Sequence, residues 1–157
     1  MQKIAYDFCL QGTPVDSKAF GHGHINSTFL VTTDIGKKYI LQKINKYVFK
    51  DPVAVVKNAT AVTNHIRKGN HTALKFVRNK DGVYCCTDEQ GEYWRMYEYV
   101  EGFCVDNPET PEDVYQSALA FGQFQELTPQ VGIQRGLAVA FFPSLCLPAS
   151  CPTLFKG

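Results

Sequence analysis

Two glycines one residue apart open the most suggestive stretch of this sequence, Phe20-Gly21-His22-Gly23-His24-Ile25-Asn26-Ser27-Thr28-Phe29-Leu30. Glycines so placed let backbone N–H groups approach phosphate oxygens with no Cβ in the way. The loop lies between two predicted strands, which argues against a dinucleotide-binding turn, where the glycines must open a helix. An ordinary tight hairpin turn has the same composition, and on the loop alone both readings stand. His22 and His24 alternate with the glycines and share one face of an extended loop, where either donates to a phosphate or faces solvent. No acidic residue or cysteine lies near enough in sequence to complete a metal set around them.

Two further stretches carry polar groups that a loop of this kind would need. In Tyr39-Ile40-Leu41-Gln42-Lys43-Ile44, strand alternation puts Gln42 and Lys43 on opposite faces, so only one can point toward a bound ligand. Lys43 alone reads as a solvated strand lysine. In Trp94-Arg95-Met96-Tyr97-Glu98-Tyr99-Val100-Glu101-Gly102, an aromatic strand runs into Glu-Gly with Tyr97 and Tyr99 on one face; standing alone it is a half-buried strand.

The elements that must hold these residues can be placed from periodicity and turn chemistry. Residues 2 to 11 read as a short helix closed by Gly12 and Pro14. Val15 to Phe20, Ser27 to Thr33 and Lys38 to Ile44 read as three strands of an antiparallel meander, with Asp34-Ile35-Gly36 as the second turn. Asp51-Pro52 supplies an N-cap and a first-turn proline for a helix whose Val55, Ala59, Val62 and Ile66 recur at helical spacing up to Lys68-Gly69. Leu74 to Val77, Val83 to Thr87 and Tyr93 to Val100 give three more strands, and Glu101 to Asn107 an extended connection. Thr110-Pro111-Glu112-Asp113 then starts a helix that Val114, Ala118, Phe121 and Phe124 make amphipathic to about Leu127. The expected class is α+β: an antiparallel sheet of five or six strands with one crossing helix, followed by a second helix.

The chain has 157 residues, 16 Lys+Arg against 15 Asp+Glu, a net charge of +1 and 45% hydrophobic residues. That length supports a real core and one domain by default, and the composition is that of a globular protein. The balance of charge leaves no basic field for nucleic acid or an anionic membrane. No stretch approaches the roughly 20 apolar residues of a membrane helix. The start, with one cation and then polar interruptions, lacks the apolar run of a secretory signal, so a cytoplasmic protein is expected. Six cysteines form no CxxC pair, which disfavours zinc and leaves buried reduced thiols as the simple reading.

Taken in order, Gly21-His22-Gly23-His24-Ile25-Asn26-Ser27-Thr28, Tyr39-Ile40-Leu41-Gln42-Lys43-Ile44-Asn45, Tyr93-Trp94-Arg95-Met96-Tyr97 and Ala120-Phe121-Gly122-Gln123-Phe124-Gln125 resemble the aminoglycoside phosphotransferase and choline kinase-like superfamily, most closely its N-acetylhexosamine kinase branch. The likeness runs from about residue 2 to 127. It implies a protein-kinase-like small lobe over 1–100, a hinge and first large-lobe helix over 101–127, and ATP-dependent, magnesium-assisted phosphoryl transfer to a sugar hydroxyl. By that resemblance Gly21, Gly23, His24 and Asn26 hold phosphates, Ile25 covers the adenine pocket, and Tyr97, Glu98, Tyr99 and Val100 form the hinge. Asn26 stands where kinases have a third glycine, and Gln42 stands where many relatives carry a basic residue. The helix from Pro52 to Ile66 offers no glutamate to pair with such a base.

From Thr128 to Gly157 the composition changes: four of the eight prolines, two cations and no acidic residue, with neither helical nor strand periodicity. This tail reads as atypical, either out-of-frame or disordered. With no acidic residue after Glu126, these residues hold neither the aspartate that accepts the substrate proton nor the one that binds Mg2+ in the family, so no catalytic or metal-binding residue is assigned. Three readings follow: the front portion of a sugar kinase, inactive as it stands and binding sugar only with a large lobe; a non-catalytic nucleotide-binding or interaction module; or an orphaned lobe that aggregates or self-associates through its exposed interface.

Overall fold

The computed structural model describes residues 3–21, 25–104, 110–128 and 146–148. A five-stranded sheet is built from β1 (Pro14–Ala19), β2 (Ser27–Thr33), β3 (Lys38–Ile44), β4 (Cys85–Thr87) and β5 (Tyr93–Glu98) in the order β1-β2-β3-β5-β4, every pairing antiparallel. Between β3 and β4 runs α1 (Pro52–Lys68), and beyond β5 come β6 (Gly102–Cys104), α2 (Pro111–Leu127) and β7 (Cys146–Pro148). The α+β class and the meander stand as the sequence led us to expect, and β2 and β3 fall at the expected residues.

Both helices begin where their caps dictate. Asp51 Oδ1 accepts from Ala54 N at 2.9 Å, and Arg67 and Lys68 close α1 with cations at its negative end. At α2, Thr110 and Asp113 form a reciprocal capping box, Asp113 N donating to Thr110 Oγ1 at 3.2 Å and Thr110 N to Asp113 Oδ2 at 2.9 Å. None of the residues of α2 is buried, and Val114 and Phe121 are 54% and 45% exposed. No helix of the described residues is long and apolar enough to cross a membrane.

Register assigns each face of the sheet its task. Phe29, Leu41 and Met96 form one row across β2, β3 and β5, and Val31 and Tyr39 pair in the next; Leu41, Met96 and Val31 are fully buried. The N-terminal residues Ile4, Ala5 and Phe8 cover this face and share its cluster with Val77 and Trp94. The opposite face carries Leu30, Ile40 and Ile44 together with Thr28, Gln42 and Arg95. Helix α1, which touches β5 and buries Val55, Val56, Ala59, Val62 and Ile66, covers that second face.

Two expectations are corrected. The N-terminal segment is a 3₁₀ turn over Lys3–Asp7 and not a helix to residue 11, because its backbone is claimed by a neighbour: Cys9 N donates to Arg78 O and Lys80 N to Asp7 O, both at 2.9 Å. So short a segment has no helical stability of its own to resist this. Residues 74–77 form no strand; Phe76 makes a single bridge to Tyr97 where β4 has already ended. The connection after β5 and the tail contribute β6 and β7, a two-stranded pair too short to leave a periodicity in sequence. Of the described cysteines, Cys9 is exposed, while Cys85 and Cys86 are partly buried, their thiols pushed up by burial to about 11 and about 12. Partial burial thus keeps two of them protonated at neutral pH.

Candidate functional site

The β1–β2 hairpin closes with Phe20 N donating to Thr28 O at 2.9 Å, and its loop and flanking strand ends line a concavity of about 320 Å3 whose wall includes Phe20, Gly21, Ile25, Asn26 and Thr28. Gly21 has φ +75°, and an added Cβ would meet nothing within 4 Å. Its glycine is therefore required by backbone conformation and leaves open space beside the chain. Residues 22–24 lie outside the described residues, so Gly23 and His24 are not placed. Ile25 is 53% exposed at the mouth of the concavity. Asn26 is half committed: its Oδ1 accepts from Asn45 N at 2.9 Å, tying the loop to the end of β3, and its amide donors remain for a ligand.

Behind the hairpin, Thr28, Gln42, Arg95 and Cys85 form one row across four strands. Gln42, 3% exposed, donates from Nε2 to Thr28 Oγ1 at 3.0 Å and accepts at Oε1 from both Nε and Nη2 of Arg95, at 3.0 and 2.7 Å. Gln42 thus faces the second side of the sheet, and Lys43 pairs with Trp94 on the other, as alternation required. Arg95 is 6% exposed with the ring of Phe76 at 5.8 Å; burial pulls its guanidinium below the usual arginine range. Sequence reading assigned Arg95 no role. The signal was the strand alternation of Trp94-Arg95-Met96, and it became decisive only once β5 was known to lie beside β3.

The end of β5 meets the hairpin through aromatic contacts. Phe20 stands edge-on to Tyr99 with ring centroids 5.8 Å apart, and Tyr99 N donates to Lys38 O at 3.1 Å. Tyr97 packs edge-on to Phe76 at 5.6 Å, and burial raises its hydroxyl against the opposing influence of Arg95. Val100 is half-buried. Glu98 N donates to Lys75 O, while its Oε1 takes Lys75 Nζ at 2.6 Å and Lys37 Nζ at 3.2 Å. Burial raises this carboxyl, and the hydrogen bonds from Lys75 and Lys37 outweigh it, leaving Glu98 below the usual carboxylate range. Because the folded group binds its proton less readily than the unfolded one, its contribution is present at neutral pH and is lost as pH falls through the lowered value. Glu98→Gln should therefore lose up to about 1 kcal/mol at pH 7, with the difference from wild type closing in acid. Urea melts at pH 7 and pH 3 measure it, and an equal difference at both would refute the assignment.

The structure thus joins the predicted glycine loop, β3 position and post-β5 segment into one place: Phe20–Tyr99 links loop to segment, and Thr28–Gln42–Arg95 links loop to sheet. The same fold occurs in the crystal structure of an aminoglycoside phosphotransferase from Alicyclobacillus acidocaldarius subsp. acidocaldarius DSM 446, with a TM-score of 0.61 and 19% identity over 82% of this chain. It occurs again in amicoumacin kinase hAmiN in complex with AMP-PNP, Ca2+ and Ami, with a TM-score of 0.62 and 18% identity over 82% of this chain. The fold matches the kinase-like small lobe of these two proteins. At these identities the likeness is one of fold alone, and the chain spans 35% and 39% of these two proteins. No protein-family model matches the chain. Among the described residues no three His, Cys, Asp or Glu side chains converge on a metal-sized site.

Proposed function

We propose that these 157 residues are the nucleotide-binding small lobe and first large-lobe helix of an ATP-dependent small-molecule kinase, of the branch that phosphorylates N-acetylhexosamines at a sugar hydroxyl. The observation that carries this reading is the docking of the glycine hairpin on the segment after β5 through Phe20 and Tyr99, in a fold shared with a phosphotransferase and with a kinase that holds AMP-PNP and Ca2+. In this reading the backbone around Gly21, Gly23 and His24 and the amide of Asn26 receive the phosphates, and Ile25 closes over adenine. Main-chain groups of Tyr97, Glu98, Tyr99 and Val100 read the base edge. Magnesium and the sugar would be held by a large lobe, and the protein works in the cytoplasm.

The same residues supply no general base and no metal carboxylates after Glu126. Phosphoryl transfer depends on positioning and on metal electrostatics, so by themselves they bind nucleotide without transferring phosphate. A half-cleft buries little of the ligand, and calorimetric titration of the chain with ATP should give millimolar affinity, about 4 kcal/mol. Incubation with ATP, Mg2+ and N-acetylglucosamine should yield no sugar phosphate above a no-protein control. Transfer above that control would overturn the division of labour between lobes, and micromolar ATP affinity would favour the second reading, a self-sufficient non-catalytic nucleotide-binding module.

A further inference from the structure

The row behind the hairpin contains a cation with no counter-charge. Arg95 is 6% exposed, and among the described residues no carboxylate makes an ion pair with it. Helix α1, which covers this face, has no Asp or Glu between Pro52 and Lys68. Its strand neighbours across the sheet are Gln42 and Cys85, both neutral, and Cys85 stays protonated. The Phe76 ring at 5.8 Å offers only a weak attraction. Burying a charge without its opposite is strongly unfavourable, and a chain that merely needed to fill this space would do better with an apolar side chain. An arginine kept here calls for an anion from outside.

The way it is held says where that anion would sit. Gln42 Oε1 takes Nε and Nη2, which fixes the plane of the guanidinium and leaves its far edge, Nη1 with the second Nη2 hydrogen, as a fork suited to phosphate oxygens. Gln42 is itself anchored by Thr28 Oγ1, and Thr28 lines the concavity of the glycine hairpin. Two strand spacings, roughly 10 Å, separate the backbones of Thr28 and Arg95. On this face β3 offers Gln42 opposite Arg95 and a cation at its far end, Lys38, whose Nζ lies 5.7 Å from the Tyr99 ring; Lys43 points to the other side.

We propose that Arg95, delivered from β5, is the side chain that receives the phosphate chain of the nucleotide, and that Gln42 is the positioning residue that orients it. This rests on the nucleotide-binding reading above and specifies the source of its positive charge. The deciding variant is Gln42→Glu, which is nearly isosteric and gives Arg95 an internal counter-charge, so the fold is retained while the attraction for phosphate is cancelled. The full chain, its Gln42→Glu variant and Arg95→Met are titrated with ATP, adenosine and tripolyphosphate, with thermal melts to verify folding.

Wild type should prefer ATP over adenosine by about tenfold or more, a preference that Gln42→Glu and Arg95→Met abolish while adenosine affinity stays the same. Tripolyphosphate should bind wild type and neither variant. Moving the cation back to β3, with Gln42→Lys on the Arg95→Met background, should restore the preference. A purely structural arginine would instead weaken ATP and adenosine together. If Gln42→Glu melts like wild type and keeps the ATP preference, the assignment of Arg95 falls and the nucleotide reading stands. If wild type binds neither ATP nor adenosine, the nucleotide reading falls and takes the assignment with it.

Discussion

Leu41→Ala lowers the melting temperature by about 10 °C, because it removes a fully buried side chain from the middle strand of the sheet at a cost of about 2–5 kcal/mol. Leu41 stands between Phe29 and Met96 in one cross-strand row, under the cover of the N-terminal residues Ile4, Ala5 and Phe8. Neither neighbouring strand can move inward to fill the cavity without breaking its own ladder, so little of the loss is recovered by relaxation. A domain of ordinary stability has about 5–15 kcal/mol in all, which makes this single truncation a large fraction of it. The effect reaches the site as well, since Phe29, which pairs with Leu41, also lines the hairpin concavity. The control is Ile35→Ala in the β2–β3 turn: Ile35 is 66% exposed, and its truncation should stay within about 0.5 kcal/mol. Circular-dichroism melts decide it, and equal shifts for the two variants would mean that the sheet is not organised around the Leu41 row.

What could be read from the sequence was what is local. The caps Asp51-Pro52 and Thr110-Pro111 are complete within four residues, and both helices start where those residues place them. β2 and β3 alternate cleanly around a three-residue turn, and their limits and register follow. Gln42 and Lys43 were separable onto opposite faces by alternation alone. The long-range relations were not legible. That β3 lies beside β5 and not beside β4 depends on how the chain crosses after α1, and no spacing in the sequence encodes it. For this reason Arg95, opposite Gln42, and Tyr99, against Phe20, emerged as partners only from the assembled sheet. The N-terminal segment shows the opposite failure: Ile4 and Phe8 have the spacing of a helix face, yet that spacing records only that both enter the core, and backbone pairing with residues 78–80 decided the conformation.

Gln42→Leu should cost about 3 kcal/mol, more than a typical hydrogen-bond deletion, because of what it leaves behind. Gln42 Oε1 is the acceptor for two N–H groups of a guanidinium that is 6% exposed. Leucine keeps the volume and removes the acceptor, so the penalty is that of a buried cation losing its last polar contact with β3. The prediction becomes sharp in combination with Arg95→Met. If the cost lies in the stranded charge, removing the charge should repay at least about 1 kcal/mol of it, and the Gln42→Leu/Arg95→Met double variant should be more stable than Gln42→Leu alone. Urea unfolding of the four proteins gives the coupling directly; additive losses would show that Gln42 acts through packing and not through Arg95. A recovery in the double variant would also explain why this polar pair is a poor choice for stability: an apolar pair fills the same space at lower cost, and what it cannot do is present a fixed positive fork behind the glycine hairpin.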